Sequence, residues 1–253
     1  MAPSAIVLCC TCPMETRTRR RIDAFWTRVF SPTDAPAELV IVEHRSAGLI
    51  GYPGIYCVVR AGTVFISAPG DLVDRLYHWR PSGGTVTDPT WWSQRLATWS
   101  VLGPSIHAFT DAGAPIDSKG SELLIRAAAP AALANLRGAV SPAEWGESGF
   151  AGHDVALAWC VTDDHGGTVA ASNLTPFDGV PADVGVLTSP RCRGRGAGAA
   201  VAAAAVRHAI EQFGIARWRA LTTNAASLRL AEKLGFQHDC VQLAVRPIDP
   251  RST

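Results

Sequence analysis

The chain has 253 residues, of which 47% are hydrophobic, so it can form a folded core and general disorder is excluded. Its 23 basic and 22 acidic side chains leave a formal net charge of +1, which argues against broad electrostatic binding to nucleic acid or an anionic membrane surface. No apolar run approaches the ~20 residues that span a bilayer, so we expect neither nucleic acid nor membrane as a partner.

The N-terminal residues 1–13 are interpreted as either an extended start or a disordered leader, because Met14 opens a more ordinary start. The apolar stretch 5–10 is short, and the basic run 17–21 follows it, which is the reverse of the order in a signal peptide. The cysteines number seven and are scattered, which favours reduced thiols and a cytoplasmic location over a disulfide framework. The group Cys9, Cys10 and Cys12 has no matching CxxC or HxxxH partner, so no metal site is predicted.

The first hundred residues predict a mixed set of helices and strands, which we interpret as an accessory α/β domain over residues 1–102. Hydrophobic periodicity predicts helices over 18–30 and 71–79 and a strand over 37–43. Residues 54–69 predict a hairpin that turns at residues 60–62. Asp88 followed by proline predicts the capped start of a further helix, after a loop over 80–88.

The second half alternates more regularly between strands and helices. Strands are predicted over 105–109, 155–161, 168–172, 184–188, 218–221 and 241–245. Helices are predicted over 121–128, 130–136 and 225–234, and over the alanine-rich stretch that begins near residue 197. This alternation predicts an α/β sheet layered with helices.

A turn rich in glycine and arginine, RCRGRGAG at residues 191–198, lies between the predicted strand 184–188 and the alanine-rich helix. Clustered glycines cost conformational entropy, so they indicate close approach of a ligand to the backbone. The first N–H groups of a helix lack internal partners and attract anions, and the helix dipole adds to that attraction. Three arginines add positive charge. The turn therefore predicts a phosphate or pyrophosphate site.

Known phosphate motifs narrow the choice of ligand. Gly198 is followed by alanines instead of Lys-Ser/Thr, which excludes a Walker loop. A dinucleotide pattern, GxGxxA, fits Gly194, Gly196 and Ala199, but the strand 218–221 ends without the acidic residue that this motif requires. A dinucleotide-binding oxidoreductase stays open as an alternative.

Residues 193–198, RGRGAG, resemble the Arg/Gln-x-x-Gly-x-Gly/Ala signature that grips the coenzyme A pyrophosphate in the GNAT superfamily of N-acetyltransferases. Residues 224–236, NAASLRLAEKLGF, resemble the family's second signature, in which an asparagine opens a helix that ends in Gly-Phe. The resemblance covers residues 103–246. Glu144 and Trp145, together with the closing residues 243–246, resemble a group of actinobacterial members. It implies a mixed central sheet flanked by helices, in a catalytic domain over 103–253.

The resemblance implies acetyl-CoA as the cosubstrate, no metal, and direct acyl transfer. The residues that match the family's coenzyme A contacts are Leu187, Thr188, Ser189, Arg193, Gly194, Arg195, Gly196, Ala197, Gly198, Ala199, Asn224 and Ser227. Residues 187–189 would hold the acyl thioester, with a backbone N–H polarising its carbonyl, in a gap where two strands separate.

Proton transfer requires an acid for the leaving thiolate. Ala231 stands where many relatives carry a tyrosine, and the tyrosines of this chain all lie in its first half. Ser227 is the nearest candidate acid. A purely structural role for this serine stays open, as does a tyrosine contributed by the N-terminal region.

A base must also take a proton from the acceptor. Glu144 and Asp183 are the candidates, although Ser141-Pro142-Ala143-Glu144 is also a capping box. His153 and Asp178 are weaker candidates. The resulting expectation is an N-acyltransferase that moves an acetyl group to a small-molecule or peptide amine, with a non-catalytic acyl-CoA-binding or regulatory protein as the alternative. A homodimer is left open.

Overall fold

The computed structural model describes residues 16–31, 37–113, 123–151, 157–177 and 180–248. The helices are α1 (Thr16–Phe30), α2 (Gly70–Trp79), α3 (Gly83–Val86), α4 (Pro89–Arg95), α5 (Pro130–Ala139), α6 (Pro142–Glu147), α7 (Ala197–Phe213) and α8 (Ala225–Lys233). The strands are β1 (Leu39–Glu43), β2 (Ile55–Arg60), β3 (Thr63–Ala68), β4 (Trp99–Thr110), β5 (Arg126–Ala127), β6 (Leu157–Thr162), β7 (Thr168–Phe177), β8 (Val180–Thr188), β9 (Ala216–Leu221) and β10 (Gln237–Pro247).

The strands form one ten-stranded sheet in the order β1-β3-β2-β10-β4-β9-β8-β7-β6-β5. The pairs β1–β3 and β8–β9 are parallel, whereas the other neighbouring strands run antiparallel. The prediction of an α/β fold with a mixed central sheet flanked by helices is therefore confirmed.

Helices cover both faces of this sheet, and β9 shows which helices lie on which face. Trp218 is buried with Val206 of α7 and Ala231 of α8. The preceding residue, Arg217, contacts Phe25 of α1. Because successive strand residues point to opposite faces, α1 lies on the face opposite α7 and α8. The same alternation along β7 and β8 places α5 and α6 on the α1 face.

The N-terminal strands extend the same sheet as the C-terminal ones. Strand β10 pairs with β2 on one side and with β4 on the other. The expected domain boundary at residue 102 falls inside β4, which spans Trp99–Thr110. The part of the N-terminal region that packs closest to the middle of the sheet is α1, whose Ile22, Trp26 and Phe30 are buried.

The helix predicted over residues 121–128 is wrong. Residues 121 and 122 lie outside the described part, and Arg126 and Ala127 form the short strand β5, paired with Cys160 and Trp159. The side chains of Leu123 and Ile125 pack against one hydrophobic cluster, in the two-residue period of an extended chain. Pairing with β6 therefore overrides the local helix propensity of this segment.

Other local predictions of turns and caps are confirmed. The predicted hairpin is β2–β3, which turns through Ala61 and Gly62 at positive φ. Asp88 caps α4 by accepting a hydrogen bond from the Thr90 N–H at 2.8 Å. The loop expected over residues 80–88 contains the short helix α3, whose start carries a capping box at Ser82.

No helix in the described part of the chain is both long enough and apolar enough to cross a bilayer.

Replacing Leu243 by alanine should destabilise the whole sheet. This side chain is fully buried in the strand that joins the two halves, and deletion of a buried leucine side chain costs about 2–5 kcal/mol. Leu102 lies opposite Ala244 on the neighbouring strand, but it is 41% exposed. Leu102→Ala is therefore the matched control and should cost about 0.5 kcal/mol or less. Urea unfolding followed by tryptophan fluorescence measures both, and equal losses would contradict this packing.

Candidate functional site

A cleft opens where strands β8 and β9 part. The register between the described residues of the two strands records one pair, Asp183 with Arg217. Beyond that pair, residues 184–188 of β8 and residues 218 and 219 of β9 line a cleft of about 800 Å³. Residues of α6 and α8 complete its walls. Neighbouring parallel strands are usually hydrogen-bonded along their length, so this gap leaves backbone groups of β8 available to a ligand.

The backbone of β8 shows which groups face the cleft. The Ser189 N–H donates to the Val169 carbonyl at 2.8 Å, so it points toward β7. Because successive N–H groups of a strand point to opposite edges, the N–H groups of Val186 and Thr188 point toward β9. Thr188 lies within the segment expected to hold a thioester, and Val186 lies just before it.

The glycine-arginine turn forms the mouth of the cleft. Gly194 and Gly196 have φ of +74° and +88°, in the left-handed region that favours glycine. A Cβ atom built on either residue would meet nothing within 4 Å, so the turn is open on its outer side. At Gly198, by contrast, a Cβ atom would lie 2.5 Å from Oγ1 of Thr188. The missing side chain at residue 198 therefore lets the start of α7 pack against the end of β8.

Arg193 links this turn to α6. Its Nη2 donates to Oε1 of Glu144 at 2.5 Å, and its Nε donates to the Thr188 carbonyl at 3.2 Å. Glu144 also accepts from the Ser141 N–H, which confirms the predicted capping box. The Ser141 N–H and then the Arg193 guanidinium lower the pKa of Glu144 to about 2. This carboxylate is thus ionised at neutral pH and is a weak proton acceptor there.

Asp183, the second candidate base, is engaged at the point where the strands meet. Its carboxylate accepts two hydrogen bonds from the guanidinium of Arg217. The guanidinium also lies 5.0 Å from the ring centre of Phe25 and 4.4 Å from that of Phe177. Both charged residues border a separate hollow of about 210 Å³ beneath α1. Asp183 therefore fixes the last pair between β8 and β9, and its charge is compensated.

The second signature forms the opposite wall of the cleft. Asn224 caps α8 because its Oδ1 accepts from the Ser227 N–H at 3.1 Å. The Ser227 hydroxyl oxygen accepts from Nε1 of Trp218 at 3.0 Å, so the hydroxyl proton is not used in that bond. Both Asn224 and Ser227 line the cleft. The helix ends as predicted, with Gly235 at φ +79°.

Most of the residues that the sequence singled out come together here. Those that line the cleft are Glu144, Leu187, Thr188, Arg193, Gly194, Gly196, Gly198, Ala199, Asn224 and Ser227. Ala197 instead packs in a hydrophobic cluster with Val201, and Arg195 is exposed on the turn. His153, Asp178 and the cysteines at 9, 10 and 12 lie outside the described residues.

Several cleft residues were not predicted from the sequence, and three of them bear on the chemistry of the site. Glu147 accepts a hydrogen bond from Nδ2 of Asn224 at 2.9 Å, Trp218 orients Ser227, and Arg219 lines the cleft beside it. Glu147 follows Glu144 by three residues on one helix, a spacing that places both on one side and could have identified it. Trp218 and Arg219 carry no such local signal.

The geometry defines an α/β protein with an anion-binding turn beside a splayed pair of parallel strands. Residues 126–237 match the sequence model of the family described as the acetyltransferase (GNAT) domain. Residues 126–237 therefore form a GNAT acetyltransferase domain, which confirms the resemblance to that superfamily. The family match assigns acyltransferase activity in general terms.

Solved structures are similar to this chain, and those with a TM-score of 0.50 share its fold. A GNAT-family acetyltransferase from Colwellia psychrerythraea is 12% identical, with a TM-score of 0.50, over 93% of this chain and 98% of its own. A Drosophila protein is 15% identical, with a TM-score of 0.50, over 81% and 77% of the two chains. A GNAT-family protein from Novosphingobium aromaticivorans is 18% identical, with a TM-score of 0.45, over 60% and 69%. The search of curated proteins found no match.

Proposed function

We propose that this protein is an N-acyltransferase that moves an acetyl group from acetyl-CoA to a primary amine. This proposal rests on the observation that three features lie side by side along one cleft. An open turn at the start of α7, the unpaired edge of β8 and the hydroxyl of Ser227 all border one cleft. An oxidoreductase would leave the separation of β8 and β9 unexplained, because a dinucleotide motif needs only the turn and the helix.

The turn suits the coenzyme A pyrophosphate. Gly194 and Gly196 leave the backbone accessible, and the first N–H groups of α7 lie at the positive end of the helix dipole. Arg193 and Arg195 supply charge that a diphosphate requires. The Glu144 carboxylate holds the Arg193 guanidinium at the cleft mouth through their ion pair. Bound acetyl-CoA would supply the activated acyl thioester.

The edge of β8 would orient and polarise the acyl group. The N–H groups of Val186 and Thr188 face the cleft, in fixed positions set by the pairing of β8 with β7. A backbone donor fixed in this way favours the developing negative charge on a carbonyl oxygen, since it needs no reorganisation during the reaction. Holding the amine and the acyl group in one cleft contributes further to the rate.

Two cleft residues are placed to move protons. The Trp218 N–H occupies one lone pair of the Ser227 oxygen, which leaves the hydroxyl proton to be donated toward a leaving thiolate. Since Glu144 is paired with Arg193 and Asp183 with Arg217, Glu147 is the better candidate to accept the proton of the amine. Its one described hydrogen bond, from Asn224, leaves acceptor capacity on the carboxylate.

A non-catalytic acyl-CoA-binding protein is the second candidate function. Ala231 supports it, because this residue is only 3% exposed in the core beneath α8 and offers no hydroxyl where many relatives have a tyrosine. Under this alternative the protein binds acetyl-CoA but releases no thiol in the presence of amines.

Arg193→Gln should weaken acetyl-CoA binding at least about tenfold, because it removes a charge-assisted hydrogen-bond donor from the turn. Arg191→Gln is the matched control, since this exposed arginine lies in the same turn and is not a cleft-lining residue. Isothermal titration measures the affinity, and thiol release with a library of primary amines measures transfer. Equal affinities in the two variants would refute the assignment of the turn, and binding without thiol release would establish the non-catalytic alternative.

Ser227→Ala should lower kcat by about 100-fold, the contribution expected of a positioned acid, with acetyl-CoA affinity nearly unchanged. The α8 cap survives this change, because Asn224 binds the backbone N–H of residue 227. Ser227→Thr keeps a hydroxyl and should retain far more of the rate. Steady-state kinetics of the wild type and the two variants measure these effects. An unchanged kcat in Ser227→Ala would show that Ser227 has a purely structural role.

A further inference from the structure

Strand β9 presents two different surfaces to the cleft. Trp218 faces α7 and α8, where it is buried against Phe236 and other core residues. Arg219, the next residue, therefore faces the opposite side of the sheet, where α1 and α6 lie. Its position opposite His107 of β4 agrees with this. Because the turn and α8 occupy the other side, Arg219 lies on the side from which an acceptor can reach the acyl group.

The described acidic side chains around the cleft form no ion pair with Arg219. Glu144 is paired with Arg193 and Asp183 with Arg217, whereas Glu147 accepts a hydrogen bond from Asn224 and keeps acceptor capacity on its carboxylate. Arg219 is exposed and has neither a hydrogen bond nor an ion pair with any residue in the described ranges. Among the described residues, no countercharge is paired with this guanidinium on the acceptor side of the cleft.

The surroundings of Arg219 come from the N-terminal half and hold few countercharges. Burial raises the pKa values of Tyr52 and Tyr56, and the positive charge of Arg219 acts on both in the opposite direction. Burial, with Arg217 and Arg219, lowers the pKa of His107 well below its ordinary value, so this imidazole is neutral. The Tyr56 hydroxyl is buried and has no hydrogen-bond partner among the residues that the structure describes.

A guanidinium in this setting favours an anion. Its planar fork of donors matches a carboxylate in a two-point contact. An uncompensated cation beside a low-dielectric wall also raises the local concentration of anionic ligands. In addition, nearby positive charge lowers the pKa of a bound amine, which favours the neutral form that attacks an acyl group.

We propose that the acceptor is an amine that carries a carboxylate, and that Arg219 binds this carboxylate so that the amine points into the gap between β8 and β9. This proposal rests on the proposed N-acyltransferase function and specifies its acceptor class. Arg219 is then the residue that determines specificity for the acceptor.

Matched acceptors test this directly. L-amino acids and their amides differ only in the carboxylate, so the ratio of their kcat/KM values reports its recognition. We expect the wild type to prefer the free acid by about 10- to 100-fold, the effect of hydrogen bonds between charged groups. Arg219→Gln should bring the ratio close to one without changing the KM for acetyl-CoA, and Arg219→Glu should reverse it. Arg207→Gln removes an exposed arginine of α7 as a control and should keep the wild-type ratio.

Failure of this inference can be distinguished from failure of the proposed function. Transfer to acids and amides with equal kcat/KM, or a ratio unchanged in Arg219→Gln, overturns the carboxylate assignment while transfer itself stands. Preference for O-phosphoethanolamine over every amino acid overturns the carboxylate in favour of a phosphate.

If no amine is acetylated, saturation-transfer NMR with the same amino acids and amides measures their binding to the protein. Binding of the acids that is lost in Arg219→Gln supports the carboxylate site, and equal binding of acids and amides overturns it.

Discussion

The ion pair between Asp183 and Arg217 sets the geometry on which the rest of the site depends. It joins β8 to β9 at their one recorded pair, and the strands separate immediately beyond it. The guanidinium is buried between the rings of Phe25 and Phe177, so removal of either charge would leave the other uncompensated in a low-dielectric setting, at a cost of about 3–5 kcal/mol. The buried ion pair thus fixes the bottom of the cleft, while the backbone of β8 beyond it stays accessible.

The bottom of the cleft, around this ion pair, is built from both halves of the chain. Phe25 belongs to α1, and the Trp26 beside it donates from Nε1 to Asp239 of β10 at 2.8 Å. Tyr56 of β2 stacks against Phe177 at the end of β7. The N-terminal region therefore contributes to the wall that surrounds the ion pair, on the α1 side of the sheet and distant along the chain from the glycine-arginine turn. Phe25 and Tyr56 lie outside residues 126–237, so the matched segment supplies only part of this wall.

The sequence predicted those features that arise from short-range physics. The glycines at 194 and 196, the cap at Asn224 and the capping box at 141–144 all depend on contacts within a few residues. The features that it missed depend on partners far along the chain. The role of Asp183 depends on its ion pair with Arg217, 34 positions later. The strand at 126–127 exists because β6 pairs with it. No local pattern marks Arg219, whose proposed role rests on the absence of a paired countercharge among the described residues.

Amide hydrogen exchange with and without acetyl-CoA tests the central claim most directly, because the claim concerns backbone groups. The account predicts that acetyl-CoA slows exchange in peptides covering residues 186–188 and 194–199, and that NADH does not. Exchange that is unchanged in these segments at saturating acetyl-CoA, or slowed instead around the hollow beneath α1, would contradict the assignment of the cleft and its turn to the coenzyme.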